Sequence, residues 1–302
     1  MSYAPIILFV YNRPYHTKRV LDCLSKNELF DKSEIIIFSD GNRSDEDFDE
    51  VKKVRELIEN YDFNIKCHLI KRESNLGLSE NIITGTSEIL NYREKAIIME
   101  DDILTSPYFL RYMNDALEKY ENDENVWHIS GWNYPIEIDK FNYDKQAFFW
   151  SVMNCWGWGT WKNRWKNYKK DPIYLIKNWS PEKISKFNLN DSFDFWSQVK
   201  KNYNGSINTW AIFWMTTIFE HNGLCLNPIE SFVTNIGHDN SGENSTISTK
   251  FDSGLAKKNI KAWPNSKENY DKVIEKIISE NFIDSKNSVM QKLLNKIKNL
   301  VT

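Results

Sequence analysis

Residues 95–102 read Lys-Ala-Ile-Ile-Met-Glu-Asp-Asp (KAIIMEDD), and this stretch decides the fold class of the chain. Its apolar residues, 96–99, form a short unbroken run, which is typical of a strand that is covered on both faces of a sheet. Three consecutive carboxylates follow where such a strand would end. Ligands of parallel sheets bind beyond the carboxyl ends of the strands. The stretch therefore predicts a buried strand that leads into a ligand site.

Strands and helices alternate on the N-terminal side of this stretch. Short apolar runs indicate strands, and charged segments with apolar residues at helical spacing indicate helices. The alternation predicts one large α/β domain with a mixed, mostly parallel sheet flanked by helices. The predicted strands are Pro5–Val10, Glu34–Phe38, Asn64–Ile70 and Lys95–Met99, and the predicted helices are Tyr15–Leu24, Asp45–Asn60 and Leu78–Leu90.

The pattern is less regular on the C-terminal side. The predicted helices there are Pro107–Tyr120, Gly157–Tyr168, Ser192–Lys201 and Asn208–Asn222, and the predicted strands are Asn125–Ile129, Gln146–Val152, Leu224–Leu226 and Ser231–Asn235. Residues 237–248 have the composition of a loop. From Ser288 onward, apolar residues at helical spacing alternate with lysines, which predicts a C-terminal helical tail. This basic helix would lie on an anionic membrane surface, or pack on its own domain or a second subunit.

Composition excludes several classes of protein. The chain has 302 residues, of which 39 are basic and 42 acidic, so its formal net charge is −3 and no nucleic-acid partner is expected. No apolar run approaches the roughly 18 residues that span a bilayer. The first residues lack the basic leader of a signal peptide, and the four scattered cysteines form no CxxC pair. We therefore expect a cytoplasmic protein with reduced thiols.

Polar residues near strand ends are the candidate site. Glu100, Asp101 and Asp102 are hard oxygen ligands that suit Mg²⁺ or Mn²⁺ held together with substrate phosphates, although a solvated acidic turn would look the same. Asp40 follows the second strand, where a carboxylate can accept hydrogen bonds from a base or ribose, or simply begin a turn. Arg13 follows the first strand and can pair with phosphate.

The ordered set of segments resembles the GT-A glycosyltransferases, and it covers about residues 4 to 245. The likeness is to bacterial family-2-like sugar transferases of surface-polysaccharide clusters, and more distantly to the Golgi N-acetylglucosaminyltransferases. The segments that carry it are ILFVYNRPYHTKRVLDCL, IIIFSDG, ESNLGLSENIITG, AIIMEDDI, CWGWGTW and WAIFWMTTIFEHNGLCLNPIESFVTNIGHDNSG. The resemblance implies a GT-A, Rossmann-like sheet that binds a nucleotide sugar.

The resemblance also implies a role for each matching residue. The implied donor-binding residues are Tyr11, Asn12, Arg13, Asp40, Asn75, Gly77, Glu100 and Asp101, and the implied acceptor-binding residues are Trp156, Gly157, Trp158 and Trp210. Asp102 would bind Mn²⁺ or Mg²⁺ on the donor diphosphate. His238 lies in the loop that closes over the donor in this fold, and it could complete the metal site.

One departure concerns the catalytic base. In the Golgi relatives an Asp follows the Trp that aligns with Trp210, but this chain has Ala211 there. An inverting transfer needs a group that takes the proton of the acceptor hydroxyl. The candidate carboxylates nearby are Asp194, Glu220 and Asp239, and none of them aligns. The stereochemistry and the base are therefore left open.

These observations favour a metal-dependent transferase of a hexosyl or N-acetylhexosaminyl group, with a UDP sugar or similar donor and a saccharide acceptor that a lipid would carry. We predict that residues 1–102 bind the donor, that residues 103–250 bind the acceptor within the same domain, and that residues 251–302 form a helical extension. The tail would hold the enzyme on the inner face of the membrane. The alternatives are a sugar nucleotidyltransferase, for which the chain lacks a Gly-rich phosphate loop, and a sugar-binding relative without activity, which Ala211 would explain.

Overall fold

The fold is a mixed α/β sheet with helices on its faces. The computed structural model of the protein describes residues 3–135, 144–239, 254–268 and 270–281. The strands are β1 (Ile6–Val10), β2 (Glu34–Ser39), β3 (Lys66–Lys71), β4 (Lys95–Glu100), β5 (Ile103–Thr105), β6 (Val126–Ser130), β7 (Ala147–Trp150), β8 (Trp158–Trp161), β9 (Leu224–Pro228) and β10 (Val233–Asn235). The helices are α1 (Pro14–Leu24), α2 (Phe48–Glu59), α3 (Gly77–Leu90), α4 (Phe109–Lys119), α5 (Lys162–Trp165), α6 (Pro172–Asn178), α7 (Pro181–Phe187), α8 (Trp196–Tyr203), α9 (Ala211–Glu220) and α10 (Asp271–Asn281).

The large sheet has eight strands in the order β3-β2-β1-β4-β8-β6-β9-β7. Its N-terminal part, β3-β2-β1-β4, is parallel throughout, and β8 and β7 run antiparallel to their neighbours. The chain moves outward from β1 through β2 to β3 and then returns to place β4 on the other side of β1. The carboxyl ends of β1 and β4 therefore flank a topological switch point, which is where sheets of this kind bind ligands.

The core follows from the apolar runs recognised in the sequence. All five residues of β1 and the four residues 96–99 of β4 are buried, because helices cover both faces of these strands. Strand β3, at the edge of the sheet, is only partly buried and carries lysine at both ends. The strands and helices predicted for the first hundred residues are all present, with ends that differ by no more than a few residues.

The helix predicted over Gly157–Tyr168 is wrong in its first part. Trp158–Trp161 is β8, which lies between β4 and β6, and only Lys162–Trp165 is helical. Gly159 faces the carbonyl of Ala96 and the side chain of Leu117 so closely that a Cβ would lie 3.3 Å from each. The sequence analysis also missed β5, α6 and α7, and it started α8 too early. Helix α10 lies within residues 251–302, for which a helical extension was predicted.

Residues 254–268 run back over the large sheet and its helices. The backbone of Ala256 exchanges hydrogen bonds with the body of the protein through Ser231 and Ser106. The ring of Trp263 stacks on Tyr112 with 5.9 Å between ring centroids, and the hydroxyl of Tyr120 donates to the carbonyl of Pro264. Residues 254–268 therefore pack on the domain. The predicted basic helix from Ser288 lies outside the described residues.

Candidate active site

A cavity of about 690 Å³ opens beyond the carboxyl ends of β1, β2 and β4. Its walls come from both halves of the chain, since residues 9–13, 75–81 and 100–102 meet residues 155–156, 198–211 and 235–238 there. Of the residues that the sequence analysis selected, the cavity is lined by Tyr11, Asn12, Arg13, Asp40, Asn75, Gly77, Glu100, Asp101, Asp102, Trp156, Trp210 and His238. The sheet thus brings together residues that lie more than 200 positions apart in the chain.

Arg13 joins the ends of β1 and β4. Its guanidinium forms ion pairs with Asp101 and, at 3.1 Å, with Asp102. Arg13 directly precedes α1, which begins at Pro14, a residue that suits the first helical position because that amide needs no partner. Burial lowers the pKa of Arg13, but the two carboxylates raise it above its ordinary value overall. Arg13 is therefore a fixed cation at the switch point.

The acidic triplet places three carboxyl groups close together, and burial and mutual repulsion disfavour their full ionisation. Desolvation, together with Asp102 and Asp101, raises the pKa of Glu100 to about 8. Desolvation also raises the pKa of Asp102, although Arg13 acts in the opposite direction. A raised carboxyl pKa means that the folded protein destabilises the charged form. An additional cation at this position would relieve that repulsion.

Asp102 and His238 carry unsatisfied polar atoms. Among the described residues, nothing forms a hydrogen bond with the buried Oδ1 of Asp102 or with either ring nitrogen of His238. The segment before His238 lies close to Asp102. A Cβ on Gly237 would lie 2.3 Å from Oδ2 of Asp102, and the amide of Ile236 donates to the carbonyl of Asp102. Buried polar groups normally have partners. The unpaired carboxylate oxygen of Asp102 and the ring nitrogens of His238 are therefore suitable ligands for a divalent metal ion.

The protein ligands available for such an ion are few. The described part of the chain contains no cluster of three or more His, Cys, Asp or Glu side chains with metal-binding geometry. This is consistent with Mg²⁺ or Mn²⁺, because these ions are bound by one or two protein groups and take their remaining ligands from substrate phosphates and water.

Asp40 is a structural hub beside the cavity. Its Oδ1 accepts from the amides of Gly41 and Leu76 at 2.9 Å, and its Oδ2 accepts from the amide of Gly77 at 3.0 Å. The side chain of Asn75 in turn donates to the carbonyl of Gly41. Asp40 is only 4% exposed. Its carboxylate therefore holds the loop before α3 against the end of β2, and little of its accepting capacity is left for a ligand.

Arg43 and Asp47 also line the cavity next to β1, and the sequence analysis did not select either of them. The hydroxyl of Tyr11 donates to the carboxylate of Asp47, which also accepts from the amides of Arg43 and Ser44. The guanidinium of Arg43 lies 5.9 Å from the centre of the Tyr11 ring. Asp47 therefore fixes an aromatic ring on the cavity wall. Only its position, four residues after Arg43 in a polar turn, could have drawn attention to it.

The tryptophans selected as acceptor ligands do not share one environment. Trp156 lines the cavity and packs edge-on against His238, and Gly157 beside it has a φ of +55°, which only glycine adopts easily. Trp158 is 1% exposed and stacks on Trp210 with 5.2 Å between ring centroids. Trp210 reaches the cavity, whereas Trp158 lies behind it in the core.

The three candidate bases lie outside the set of cavity-lining residues. Glu220 is at the far end of α9, where it accepts hydrogen bonds from Trp179 and Lys183. Asp194 is exposed and accepts from the amide of Ser197 at the start of α8. Asp239 follows His238 in sequence, and its carboxylate lies 3.1 Å from Nε2 of His16.

The remaining wall of the cavity comes from α8 and from the segment between α8 and α9. Gln198, Lys201, Asn208 and Thr209 line it, together with Ser79 at the start of α3. No motif marks these residues, and the sequence analysis did not identify them. They join the site because α8 and α9 pack against each other over the end of the sheet.

The fold and this cavity define an α/β protein with a ligand site at the switch point of its sheet. The model of the family "Glycosyl transferase family 2" matches residues 6–178, more than half of the chain. The chain therefore belongs to glycosyl transferase family 2 and has the GT-A fold. Its match contains Arg13, Asp40, the acidic triplet and Trp156, whereas the cavity residues beyond position 178 lie outside it.

Three solved structures resemble this chain at low sequence identity and low TM-score. Mannosyltransferase PcManGT from Pyrobaculum calidifontis, in complex with GDP-Man and Mn²⁺, is 20% identical over 42% of this chain and 35% of its own, with a TM-score of 0.32. S. aureus TarS 1–349 is 11% identical over 77% of this chain and 60% of its own, with a TM-score of 0.42. The same protein in complex with UDP-GlcNAc is 13% identical over 48% and 38%, with a TM-score of 0.33.

The match covers less than two thirds of the length of each of these solved chains. Comparison with curated protein sequences gives no significant match. Among the helices of the described residues, none is both long and apolar enough to cross a bilayer.

Proposed function

We propose that the chain transfers a hexosyl or N-acetylhexosaminyl group from a UDP sugar to a saccharide acceptor during the synthesis of a surface polysaccharide or glycoconjugate. One observation carries the proposal. Arg13, Asp101 and Asp102 meet at the switch point of the sheet, where Asp102 and His238 present buried atoms without partners among the described residues. Membership of glycosyl transferase family 2 supports the same reading. GDP-Man and Mn²⁺ are bound by one solved neighbour and UDP-GlcNAc by another.

In this proposal Asp102 and His238 hold Mn²⁺ or Mg²⁺, which supplies Lewis-acid stabilisation of the leaving diphosphate. Arg13 keeps the carboxylates of Asp101 and Asp102 in a fixed orientation through its two ion pairs. Asp40 holds the loop at Asn75–Gly77, on which the donor sugar would rest. Such fixed positioning lowers the barrier because the reactants lose their freedom on binding and not in the transition state.

The acceptor half of the site is proposed to include Trp156 and Trp210. Aromatic rings bind sugars through their apolar faces, and Trp156 forms part of the cavity surface beside His238. We leave Trp158 out of this set because, unlike Trp156 and Trp210, it does not line the cavity. We also propose that residues 1–102 act mainly on the donor and residues 103–250 on the acceptor. A lipid-linked acceptor, with the basic tail on the membrane, remains part of the proposal.

The test is the binding of a panel of nucleoside diphosphate sugars, followed by calorimetry with and without Mn²⁺, and an assay of the released nucleotide. We expect release of a nucleoside diphosphate, whereas a nucleotidyltransferase would release pyrophosphate. Asp102→Asn should abolish the Mn²⁺-dependent part of donor binding without loss of stability, because burial already disfavours the charged form of Asp102.

The matched control for this variant is Asp22→Asn. Asp22 lies on α1 in an exposed ion pair with Lys18, outside the cavity, and pairs of this kind contribute little to stability. Donor binding that responds to Mn²⁺ equally in Asp102→Asn and in the unaltered chain would contradict the proposed metal site. A chain that binds no nucleotide sugar at all would contradict the proposed function.

A further inference from the structure

The cavity wall formed by α8, the segment before α9 and the start of α3 differs in chemistry from the end of β4. The end of β4 contributes three carboxylates, whereas the cavity-lining residues of segments 77–81 and 198–211 include no acidic side chain. They include instead Lys201 and the amide side chains of Gln198 and Asn208. We refer to Gln198, Lys201, Asn208 and Ser79 as the basic wall.

A second lysine lies directly behind the basic wall. The ammonium group of Lys170 donates to Oγ of Ser79 at 2.8 Å and to Oδ1 of Asn208 at 2.5 Å. Ser79 is 2% exposed, so these contacts bind α3 to the segment before α9 in a partly dry environment. Glu80 is the acidic group that acts on Lys170, and it does not line the cavity. The cation therefore polarises two groups that face the ligand space.

Lys201 is held beside the same segment by its backbone. Its carbonyl accepts from the amides of Ser206 at 2.9 Å and Ile207 at 3.3 Å. The neighbouring Asn202 exchanges two hydrogen bonds of 2.9 Å with Thr209. These hydrogen bonds join the last turn of α8 to residues 206–209, and they fix the backbone position of Lys201 beside the cavity.

We propose that the basic wall binds a phosphate group of the acceptor, so that the acceptor is a phosphorylated saccharide and not a neutral one. The inference rests on the proposed function, which assigns the metal of the donor diphosphate to Asp102 and His238. These two residues follow β4 and β10, whereas the basic wall comes from α3, α8 and the segment before α9. Lysine ammonium groups and amide N–H groups are good donors to phosphate oxygens. A second anion site on separate elements therefore belongs to the second substrate.

Two sources of this phosphate share the same chemistry, and the probes separate them. One arm uses hexoses and N-acetylhexosamines carried on a short prenyl diphosphate. The other arm uses methyl glycosides of the same sugars with a phosphomonoester at O6. Each probe is paired with its unphosphorylated twin, and binding is measured by calorimetry with Mn²⁺ and the best-binding nucleoside diphosphate present.

We expect at least one phosphorylated probe to bind about tenfold more tightly than its neutral twin, because a charge-assisted contact contributes about one such factor. Lys201→Gln should remove this preference, and raised salt should weaken it in the unaltered chain. The matched control is Lys200→Gln, since Lys200 is also exposed on α8 but does not line the cavity. This control should keep the preference.

Several results would overturn the inference. These are equal binding of every phosphorylated probe and its twin, an equal loss in Lys200→Gln and Lys201→Gln, or a loss of nucleoside diphosphate affinity in Lys201→Gln that matches the loss for the acceptor. The last result would assign the lysine to the donor. Nucleotide binding without a phosphate preference contradicts this inference alone, whereas absence of nucleotide binding contradicts the proposed function as well.

Discussion

Carboxylates in this protein perform different tasks according to what surrounds them. Asp40 accepts three backbone amides and holds a loop, so its charge is satisfied within the protein. Asp102 has one oxygen bound to Arg13 and the other without a partner among the described residues. The residue type and the position at a strand end are the same. The difference lies in the hydrogen-bond donors that the fold brings to each oxygen.

The three candidate bases also differ in their hydrogen-bond partners and in their position relative to the cavity. Glu220 has two donors and lies at the end of α9 that is remote from the cavity, and Asp194 supports the start of α8. Asp239 alone directly follows a residue that lines the cavity, namely His238. If one of the three takes the proton of the acceptor hydroxyl, we expect it to be Asp239.

We therefore expect Asp239→Asn to lower kcat by roughly 10²–10⁴-fold with donor binding intact, which is the usual effect of removing a general base. Glu220→Gln should leave kcat within about twofold, since its partners lie outside the cavity. The measurement is single-turnover transfer with calorimetry of the donor. Full activity of Asp239→Asn would show that the base is not in this set.

At the scale of elements, the segment after β10 closes the site. Strand β10 pairs antiparallel with β5, which follows the acidic triplet, and this pairing sets Gly237, the residue before His238, against Asp102. The contact is tight enough that only a residue without Cβ fits at Gly237. The small two-stranded sheet therefore sets how closely the segment after β10 approaches the acidic triplet.

Gly237→Ala tests this contact. The added methyl group would lie 2.3 Å from Oδ2 of Asp102, so either the carboxylate or the segment must move. We expect Mn²⁺-dependent donor binding to fall by about tenfold or more, which corresponds to roughly 1.4 kcal/mol. The control is Gly254→Ala, because no atom lies within 4 Å of its Cβ position. Unchanged binding in Gly237→Ala would separate this segment from the metal site.

Another element-level feature joins β6, α9 and the loop before β8. Nδ1 of His128 accepts from the indole N–H of Trp214 at 3.1 Å, and Nε2 donates to the carbonyl of Asn154 at 3.0 Å. The ring also stacks on Trp158. Both nitrogens are used by the neutral form, and burial lowers the pKa of His128 from 6.5 to about 3.

This histidine should make stability depend on pH. Between about pH 6.5 and pH 3 the unfolded chain binds a proton at His128 that the folded chain does not bind. The free energy of unfolding therefore falls as the pH falls through this range, by up to about 1.4 kcal/mol per pH unit from this group. In His128→Gln the slope measured by urea unfolding should be smaller. Identical slopes would contradict the assignment.

At the scale of the whole molecule, residues 254–268 and 270–281 add to the core. Ala256, Ile260, Val273 and Ile277 are buried, and Trp263 stacks on Tyr112, which itself stacks on Phe232. The three rings join the tail, α4 and the segment before β10 into one column. The described part of the predicted extension, residues 254–268 and 270–281, therefore contributes apolar contacts to the domain.

Trp263→Ala should thus lower the free energy of unfolding by about 2–4 kcal/mol, because it removes a large ring from a packed aromatic stack. The control is Tyr92→Ala, since Tyr92 is 81% exposed. Chemical denaturation of both variants measures the difference. Equal stabilities would mean that the tail contributes little to the fold.

The alternation of apolar runs and amphipathic segments determined the α/β class and the elements of the first hundred residues, because helical and strand periods are local properties of a sequence. The same pattern placed Arg13, Asp40 and the acidic triplet at strand ends. It misjudged Trp158–Trp161, where a strand in the middle of the sheet is selected by its pairing with β4 and β6. It also missed Asp47, Ser79 and Lys201, which carry no motif.

Only the tertiary structure decided which of these residues meet. The order of the strands puts Arg13 beside Asp101 and Asp102, and the packing of α8 and α9 brings Lys201 to the same cavity. It also distinguished Asp40, whose two oxygens accept from backbone amides, from Asp102, whose Oδ1 has no partner among the described residues. Such differences arise from contacts between distant segments, and neither period nor composition records them.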